Sequence, residues 1–156
     1  MKNDVVPVQV RGIVPAHGGV AIFVGNQEKV FVIQVETNMG RVISNFLRKA
    51  PNERPQTHDL IGSIFKGFGI TLERIVITAL KQSTYYARLI LREKNELGTK
   101  IVEIDARPSD CIALAIAHQR PMYVAAPLFS QVEDMTEFLN ELSESGGGDK
   151  SGDEEA

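Results

Sequence analysis

The chain has 156 residues, of which 43% are apolar and 24% are charged, and its formal net charge is -3. A chain of this length forms one domain with a sizeable core. No run approaches the roughly 20 apolar residues of a membrane span, and the first residues lack the apolar core of a secretory signal. We therefore expect a cytoplasmic protein without membrane contact. The single cysteine, Cys111, excludes an internal disulfide and is expected to be a packed residue.

Charge is divided unevenly along the chain. From Glu133 onward there are nine acids and one lysine, which leaves a net charge of +5 on the residues before it. A mildly basic body is compatible with an anionic partner, and equally with a solvated surface of mixed sign. Residues 1–142 are predicted to form the domain. Residues 143–156, which include three consecutive glycines, are predicted to be a disordered acidic tail.

Apolar periodicity predicts the elements in chain order. It indicates strands over residues 5–14, 20–24 and 30–35, then helices over 38–50 and 57–68, capped by Thr37 or Asn38 and by Thr57. Strands over 72–80, 84–92 and 99–105 follow. After them come a wholly apolar helix starting at Pro108, a short strand over 122–125, and a last helix opened by a capping box at Ser130. This order predicts an α+β fold: a single domain with a twisted mixed, largely antiparallel β-sheet and packed helices.

Two helix starts repeat one order of residue types. Each places an arginine and a proline before a hydroxyl residue, an acid and an apolar helix, as in Arg54-Pro55-Gln56-Thr57-His58-Asp59 and Arg107-Pro108-Ser109-Asp110. The free N–H groups and the dipole of a helix start attract anions. If the two starts face one cleft, Arg54, Arg107 and His58 surround a phosphate-sized space. Three acids then offer oxygen ligands to a divalent cation, and His58 serves as acid or base; the acids are Asp59, Asp105 and Asp110.

An alternative interpretation of the same residues needs no chemistry. Thr57, Asp59, Ser109 and Asp110 are residue types that cap helices, and their selection at helix starts requires no ligand. The two arginines then form structural salt bridges with the neighbouring aspartates. Both interpretations fit the spacing, so the sequence alone leaves the choice open.

The strand over residues 84–92 carries a mixed face. Alternation places Tyr86, Arg88, Ile90 and Arg92 on one side of it. Tyrosine and arginine favour both nucleic-acid and protein interfaces, so this face indicates either a polyanion or a protein contact. Together with the strand edges of an open sheet, it predicts a homodimer or a higher homo-oligomer.

The chain resembles the bifunctional nuclease domain family over about residues 5–129. The resemblance rests on four motifs: Arg54-Pro55-x-Thr57-His58-Asp59-Leu60, Tyr86-Ala87-Arg88-Leu89, Asp105-Ala106-Arg107-Pro108-Ser109-Asp110, and Pro121-Met122-Tyr123-Val124-Ala125. It implies a hydrolase that degrades DNA and RNA with little sequence preference. The start of the first helix, residues 36–40, departs from the Gly-x-x-Glu-Ala pattern expected of the family.

Combining the resemblance with the residue chemistry gives a specific hypothesis. The catalytic residues are predicted to be His58, Asp59, Asp105, Arg107 and Asp110. The predicted ligands of a Mg²⁺ or Mn²⁺ ion are Asp59, Asp105 and Asp110. Substrate contacts are predicted for Arg54, Tyr86, Arg88 and Ser109. The alternative function is a non-catalytic, oligomeric regulatory module that binds nucleic acid or protein.

Overall fold

The computed structural model describes residues 4–146 of the chain. Within this range the strands are β1 (Val5–Ala16), β2 (Gly19–Gly25), β3 (Val30–Val35), β4 (Ile70–Lys81), β5 (Thr84–Asn95), β6 (Gly98–Ala106) and β7 (Met122–Ala125). The helices are α1 (Thr37–Leu47), α2 (Thr57–Gly67), α3 (Pro108–His118), α4 (Ala126–Gln131) and α5 (Thr136–Gly146). None of these helices is both long and apolar enough to cross a membrane.

The seven strands form one sheet in the order β3-β2-β1-β7-β4-β5-β6. Neighbouring strands are antiparallel, except that β7 runs parallel to β4. The predicted α+β fold, with a mixed and largely antiparallel sheet in a single domain, is therefore confirmed. β7 lies between β1 and β4, and the chain reaches it through β5, β6 and α3, because parallel strands need a long connection and not a hairpin.

The turns between consecutive strands follow from local chemistry. Asn26 closes the β2–β3 turn because its side-chain oxygen accepts the N–H groups of Glu28 at 2.8 Å and Lys29 at 3.2 Å. In the β4–β5 turn, Gln82 and Ser83 have φ values of 50° and 64°. Positive φ at both central residues is the requirement of the tight turn whose twist matches two antiparallel strands.

The core is built around α3. Its residues Cys111 to Ala115 are at most 1% exposed, and the sheet curls around them far enough for the rings of Phe31 and Tyr85, on β3 and β5, to lie 5.8 Å apart. The predicted apolar helix is therefore confirmed as the most buried element. Burial, with the charges of Asp110 and Asp105, raises the pKa of the Cys111 thiol to about 12, so the thiol stays protonated and packs as an apolar group.

The first turns of the helices differ from the sequence prediction. The N-cap residues of α1, α2 and α3 are Glu36, Gln56 and Arg107. Glu36 precedes the predicted cap Thr37 and Gln56 precedes the predicted cap Thr57, so neither hydroxyl residue is used as a cap. In α2 the cap is supplied from inside the helix, because the Asp59 carboxylate accepts the Gln56 N–H at 2.9 Å. Pro108 does occupy the first turn of α3, as predicted.

The C-terminal segment contains a helix that the sequence did not predict. Pro127 lies in the first turn of α4, and Ser130, predicted to open the last helix, instead donates its hydroxyl to the Ala126 carbonyl at 3.1 Å. Just before α5, the Asp134 carboxylate accepts the Thr136 N–H at 3.0 Å. The predicted tail began at residue 143, but α5 continues to Gly146. The rest of that prediction, residues 147–156, lies outside the described residues.

Candidate functional site

One face of α1 and the N-terminal ends of α2 and α3 line one cavity of about 500 Å³. Its apolar lining comes from Met39, Val42, Phe46, Ile61, Leu89 and Leu114. Its polar lining comes from Asn38, Asn45, Asn52, Gln56, His58, Asp59, Arg107 and Asp110. The starts of α2 and α3 therefore place the positive ends of two helix dipoles at this cavity, which favours an anion there.

His58 and Asp110 join α2 to α3 inside this cavity. The His58 ring is 8% exposed, and its Nε2 lies 2.9 Å from Oδ1 of Asp110, although the two residues are 52 positions apart. The ring also makes an edge contact with Phe46, with ring centroids 6.5 Å apart. A carboxylate only accepts hydrogen bonds when ionised, so Asp110 selects the tautomer in which Nε2 carries the proton.

Arg107 extends this pair to the start of α1. Its Nε donates to Oδ2 of Asp110 at 2.9 Å, and its Nη1 donates to Oε1 of Glu36 at 2.8 Å. Burial by itself raises the pKa of the Asp110 carboxyl, but the hydrogen bonds from Arg107 and His58 outweigh it and hold that pKa below its ordinary value. Asp110 is therefore ionised at neutral pH. The contacts Glu36–Arg107–Asp110–His58 form a chain in which each carboxylate accepts a hydrogen bond from the neighbouring arginine or histidine.

Asp59 faces the same cavity but has a structural task. One of its oxygens, Oδ2, accepts both the Gln56 N–H at 2.9 Å and the Asn52 amide at 3.0 Å. These bonds close the first turn of α2 and attach to it the loop that follows α1. For this acid the capping interpretation describes the bonds that are present.

Two of the predicted substrate-binding residues border the cavity from outside. Arg54 lies in a shallow depression at the start of α2, and Gln56 and Thr57 line both that depression and the cavity. Ser109 is 7% exposed and lines a separate cleft between β3, the β4–β5 turn and the start of α3, a cleft that also contacts Arg107. Neither residue is in the lining of the His58 cavity.

Asp105, Arg88 and Tyr86 lie on the other face of the sheet. Asp105 on β6 is paired directly opposite Arg88 on β5, so their side chains share a face. The neighbouring pairs Ala87–Ala106 and Leu89–Ile104 point to the α3 side. Arg88 donates to Glu103 on that outer face, with 2.9 Å between Nη1 and Oε2. The expectation that Asp105 faces the same hollow as Asp110 is therefore wrong, because strand alternation turns it away.

This division also separates the three predicted metal ligands. Among the described residues, no three His, Cys, Asp or Glu side chains are grouped closely enough to hold a metal ion. Asp59 and Asp110 line the cavity while Asp105 is on the far face of the sheet, so the three aspartates do not form one ligand set.

The sequence interpretation missed Glu36 and the amide side chains. Glu36 reaches Arg107 from 71 positions away, and Asn38, Asn45 and Asn52 line the cavity. The seven-residue spacing of Asn38 and Asn45 was a usable signal, since residues seven apart share a helix face. Asn52 lies in the loop after α1 and gave no such signal. Glu36 had a weaker one, as an acid directly before a helix whose positive end attracts it.

Comparison with known sequences adds the family. The sequence model described as bifunctional nuclease domain matches residues 21–136. The chain belongs to the bifunctional nuclease domain family. All of Glu36, His58, Arg107 and Asp110 lie inside the matched range.

This bifunctional nuclease domain is also similar to two proteins of Mycobacterium tuberculosis, from strains CDC 1551 and H37Rv, both described as uncharacterized. Each is 36% identical over 78 residues, which is 50% of this chain and 43% of the relative. The match therefore spans less than half the length of these relatives.

Proposed function

We propose that this chain is a nuclease that hydrolyses phosphodiester bonds of DNA and RNA with little sequence preference. The observation that supports it best is the His58–Asp110 pair, placed in a cavity where the starts of α2 and α3 meet. Hydrolysis of a phosphodiester needs a group that moves a proton and a positive environment for the phosphate. The cavity offers a histidine for the first and helix N-termini with Arg107 for the second.

His58 is the proposed proton carrier. With its Nε2 proton donated to Asp110, the ring presents Nδ1 as a base, and within residues 4–146 this nitrogen has no hydrogen-bond partner. It takes a proton from the water, or from the ribose hydroxyl, that attacks phosphorus. Asp110 orients the ring and stabilises the imidazolium that forms, in the way a carboxylate supports histidine in other hydrolytic sites.

Phosphate binding is proposed at the helix starts. Three of the five N–H groups of Arg107 donate to Asp110 and Glu36. The side chain is still 57% exposed, so the two remaining N–H groups are open to an anion. Arg54 lies in the adjoining depression and is the proposed contact for a neighbouring phosphate. Ser109, Tyr86 and Arg88 stay proposed contacts of the wider nucleic acid, the last two on the outer face of the sheet.

Mg²⁺ or Mn²⁺ is proposed to assist the reaction, with fewer protein ligands than the three aspartates that the sequence predicted. Because the three aspartates do not fit as a joint ligand set, an ion would rely on a cavity carboxylate, Asp59 or Asp110, together with substrate oxygens. Mg²⁺ commonly keeps waters and binds through one or two carboxylates and the substrate's phosphates. When bound, such an ion supplies charge for the developing oxyanion.

Incubation of the purified chain with plasmid and with RNA, with and without EDTA, tests this proposal. We expect both substrates to be cut, and cutting to fall in EDTA. The matched variant His58→Ala is the control for a contaminating nuclease, since a contaminant would copurify with either protein. Substrate that stays intact under every condition, Mn²⁺ included, overturns the enzymatic proposal.

The second candidate function is a non-catalytic, oligomeric module of the cytoplasm that binds nucleic acid or a protein partner. It is favoured by the bonds of Asp59 and Arg107, each of which already has a structural role. A binding titration at rising salt, without cleavage, distinguishes it, because phosphate contacts make nucleic-acid affinity fall steeply with ionic strength.

A further inference from the structure

The strand β6 forms an edge of the sheet with its outer side unpaired. Its nine residues, Gly98–Ala106, pair with β5 alone, and no other backbone hydrogen bond in the described part of the chain involves them. The pairing with β5 is continuous from Ala87–Ala106 to Asn95–Gly98, without a bulge. The strand contains no proline. Bulges, prolines and charged side chains are devices that keep an edge strand from pairing with another chain; β6 lacks the first two and carries the charges of Lys100, Glu103 and Asp105.

The opposite edge of the sheet is treated differently. On β3, the Val30 carbonyl accepts the Met135 N–H at 2.6 Å, and the Val30 N–H donates to the Asp134 carboxylate at 3.2 Å. The segment before α5 therefore covers the start of β3, a strand of six residues. The longer edge has no such cover in residues 4–146.

The side chains of β6 also lack cover on both faces. Ile101 is 56% exposed on the outer face and Ile104 is 42% exposed on the α3 face. A helix or a loop packed on one face would bury only one of them. A strand added at the edge flanks both faces at once and supplies the backbone groups that the edge lacks.

We propose that β6 is the homodimer interface of this protein, pairing antiparallel with β6 of a second copy to give one continuous sheet. The register that uses the whole strand places a two-fold axis at Val102. In that register Ile101 lies opposite Glu103 of the second copy, Lys100 opposite Ile104, and Thr99 opposite Asp105. No like charges face each other. A shift that centres the pair on Glu103 instead places that acid opposite itself, which is unfavourable.

The β6 edge is a more specific dimer interface than the exposed apolar stripe of α2, because backbone hydrogen bonds are directional. Leu60, Ile64 and Phe68 are 54%, 47% and 74% exposed and share a helix face. That stripe offers apolar area alone and accepts many partners. The β6 edge offers a fixed sequence of donors and acceptors that is self-complementary when reversed, as a two-fold interface requires. The dimer is independent of the nuclease proposal, and a chain inactive on nucleic acid still tests it.

Sedimentation of the full chain over a wide concentration range tests the dimer, with twice the 17.2 kDa of one chain expected at the upper end. The matched variants are Ile101→Glu and Ile101→Lys. Both remove the same apolar side chain, but glutamate faces Glu103 of the second copy while lysine attracts it. We expect Ile101→Glu to raise the dissociation constant about tenfold or more and Ile101→Lys to raise it less. Phe68→Glu, on the α2 stripe, is expected to leave it unchanged.

Disulfide trapping tests the register itself. Val102→Cys places two thiols at the two-fold axis, so mild oxidation is expected to give a covalent dimer. The native Cys111 is 0% exposed and does not compete. Leu97→Cys serves as the control, because Leu97 lies in the turn just before β6 and is 98% exposed. This variant is expected to run as a monomer on a non-reducing gel. A chain that stays monomeric at every concentration, or a dimer dissociated by Phe68→Glu and not by Ile101→Glu, overturns the proposal. Crosslinking through Leu97→Cys in place of Val102→Cys overturns the register.

Discussion

At the scale of single residues, the candidate site is held by charged hydrogen bonds between helix starts. Arg107 is bound on one side by Glu36 and on the other by Asp110, and Asp110 also accepts from His58. Such bonds combine two tasks, because the atoms that fasten α1, α2 and α3 together also fix the orientation of the imidazole. A substitution here is therefore expected to change activity and stability by different amounts, and the two must be measured together.

His58→Ala is expected to lower the cleavage rate of DNA and RNA by roughly 10²–10⁴-fold, the usual contribution of a general acid or base. Asp110→Asn is expected to lower it as well, because an amide does not enforce the Nε2 tautomer. Rates are measured by gel-based cleavage at matched protein concentration, with thermal melting to show that each variant is folded.

Asp105→Asn is the matched comparison for Asp110→Asn, because both replace an aspartate by its amide. Asp105 carries the same chemical change but lies on the outer face of the sheet opposite Arg88, so the cleavage rate is expected to stay within about a factor of three of the original, which corresponds to less than about 1 kcal/mol of barrier. A loss as large as that of His58→Ala would instead locate the chemistry on the outer face and restore the catalytic role that the sequence predicted for Asp105.

His118 at the end of α3 gives the protein a pH-dependent stability. Burial lowers the pKa of the imidazole from its ordinary 6.5, and the ring lies 6.1 Å from that of Phe65. The unfolded chain then binds the proton more readily, so the contribution is complete above about pH 6.5 and is lost as the pH falls towards the folded pKa. We expect the melting temperature to fall between about pH 7 and 5, and to fall less in His118→Gln. His17→Gln, in an exposed turn, should keep the original slope.

At the scale of elements, the close approach of α1 to β2 depends on a residue without a side chain. A Cβ at Gly40 would lie 2.6 Å from Cγ2 of Val20 and 2.8 Å from its Cβ. These distances are shorter than contacting carbons allow, and Val20 is a branched residue of a strand with little freedom to move. The glycine therefore sets how near the start of α1 comes to the sheet, and with it the position of Glu36.

Gly40→Ala is expected to lower the free energy of unfolding by about 1–3 kcal/mol, the usual cost of overpacking. Gly67→Ala, at the end of α2 where nothing lies within 4 Å of an added Cβ, is expected to raise it by about 0.4–1 kcal/mol because the unfolded chain loses freedom. Urea unfolding of both variants measures the difference. Equal effects of the two substitutions would show that helix propensity, and not the contact with Val20, decides the result.

At the scale of the whole molecule, the chain combines a basic body with an acidic C-terminal part. Residues 147–156 contain four acids and one lysine, so their removal makes the rest of the chain less negative. If the acids compete with nucleic acid for the basic surface, deletion of these residues tightens binding.

We expect the deletion to tighten binding of a labelled oligonucleotide, measured by fluorescence anisotropy at low salt, and to lose this effect at high salt as the charges are screened. A full-length control with the four acids replaced by their amides separates charge from length, and it is expected to behave like the deletion. Binding that is unchanged in both variants would rule out competition by the acidic residues.

The sequence by itself determined the types of the elements other than α4, the burial of α3 and the family. Periodicity of two or of 3.6 residues states which face of an element is apolar, and this local signal is sufficient for the strands and for an apolar helix such as Cys111–Ala115. This local signal failed to predict what individual polar side chains bind, because a side chain that can cap a helix can also bond to other side chains. Asp110 and Ser130 are residue types that cap helices, yet the first is bound to His58 and Arg107 and the second lies inside α4.

Only the tertiary structure decided which residues meet. His58 and Asp110 are 52 positions apart, and Glu36 and Arg107 are 71 apart, and nothing in a local pattern encodes such distances. The sequence did state that Asp105 and Ala106 point to opposite sides of a strand. It did not state which side α3 would cover. In the folded chain α3 covers the face of β5 that carries Ala87, Leu89 and Leu91, so Ala106 faces the core and Asp105 lies on the other side.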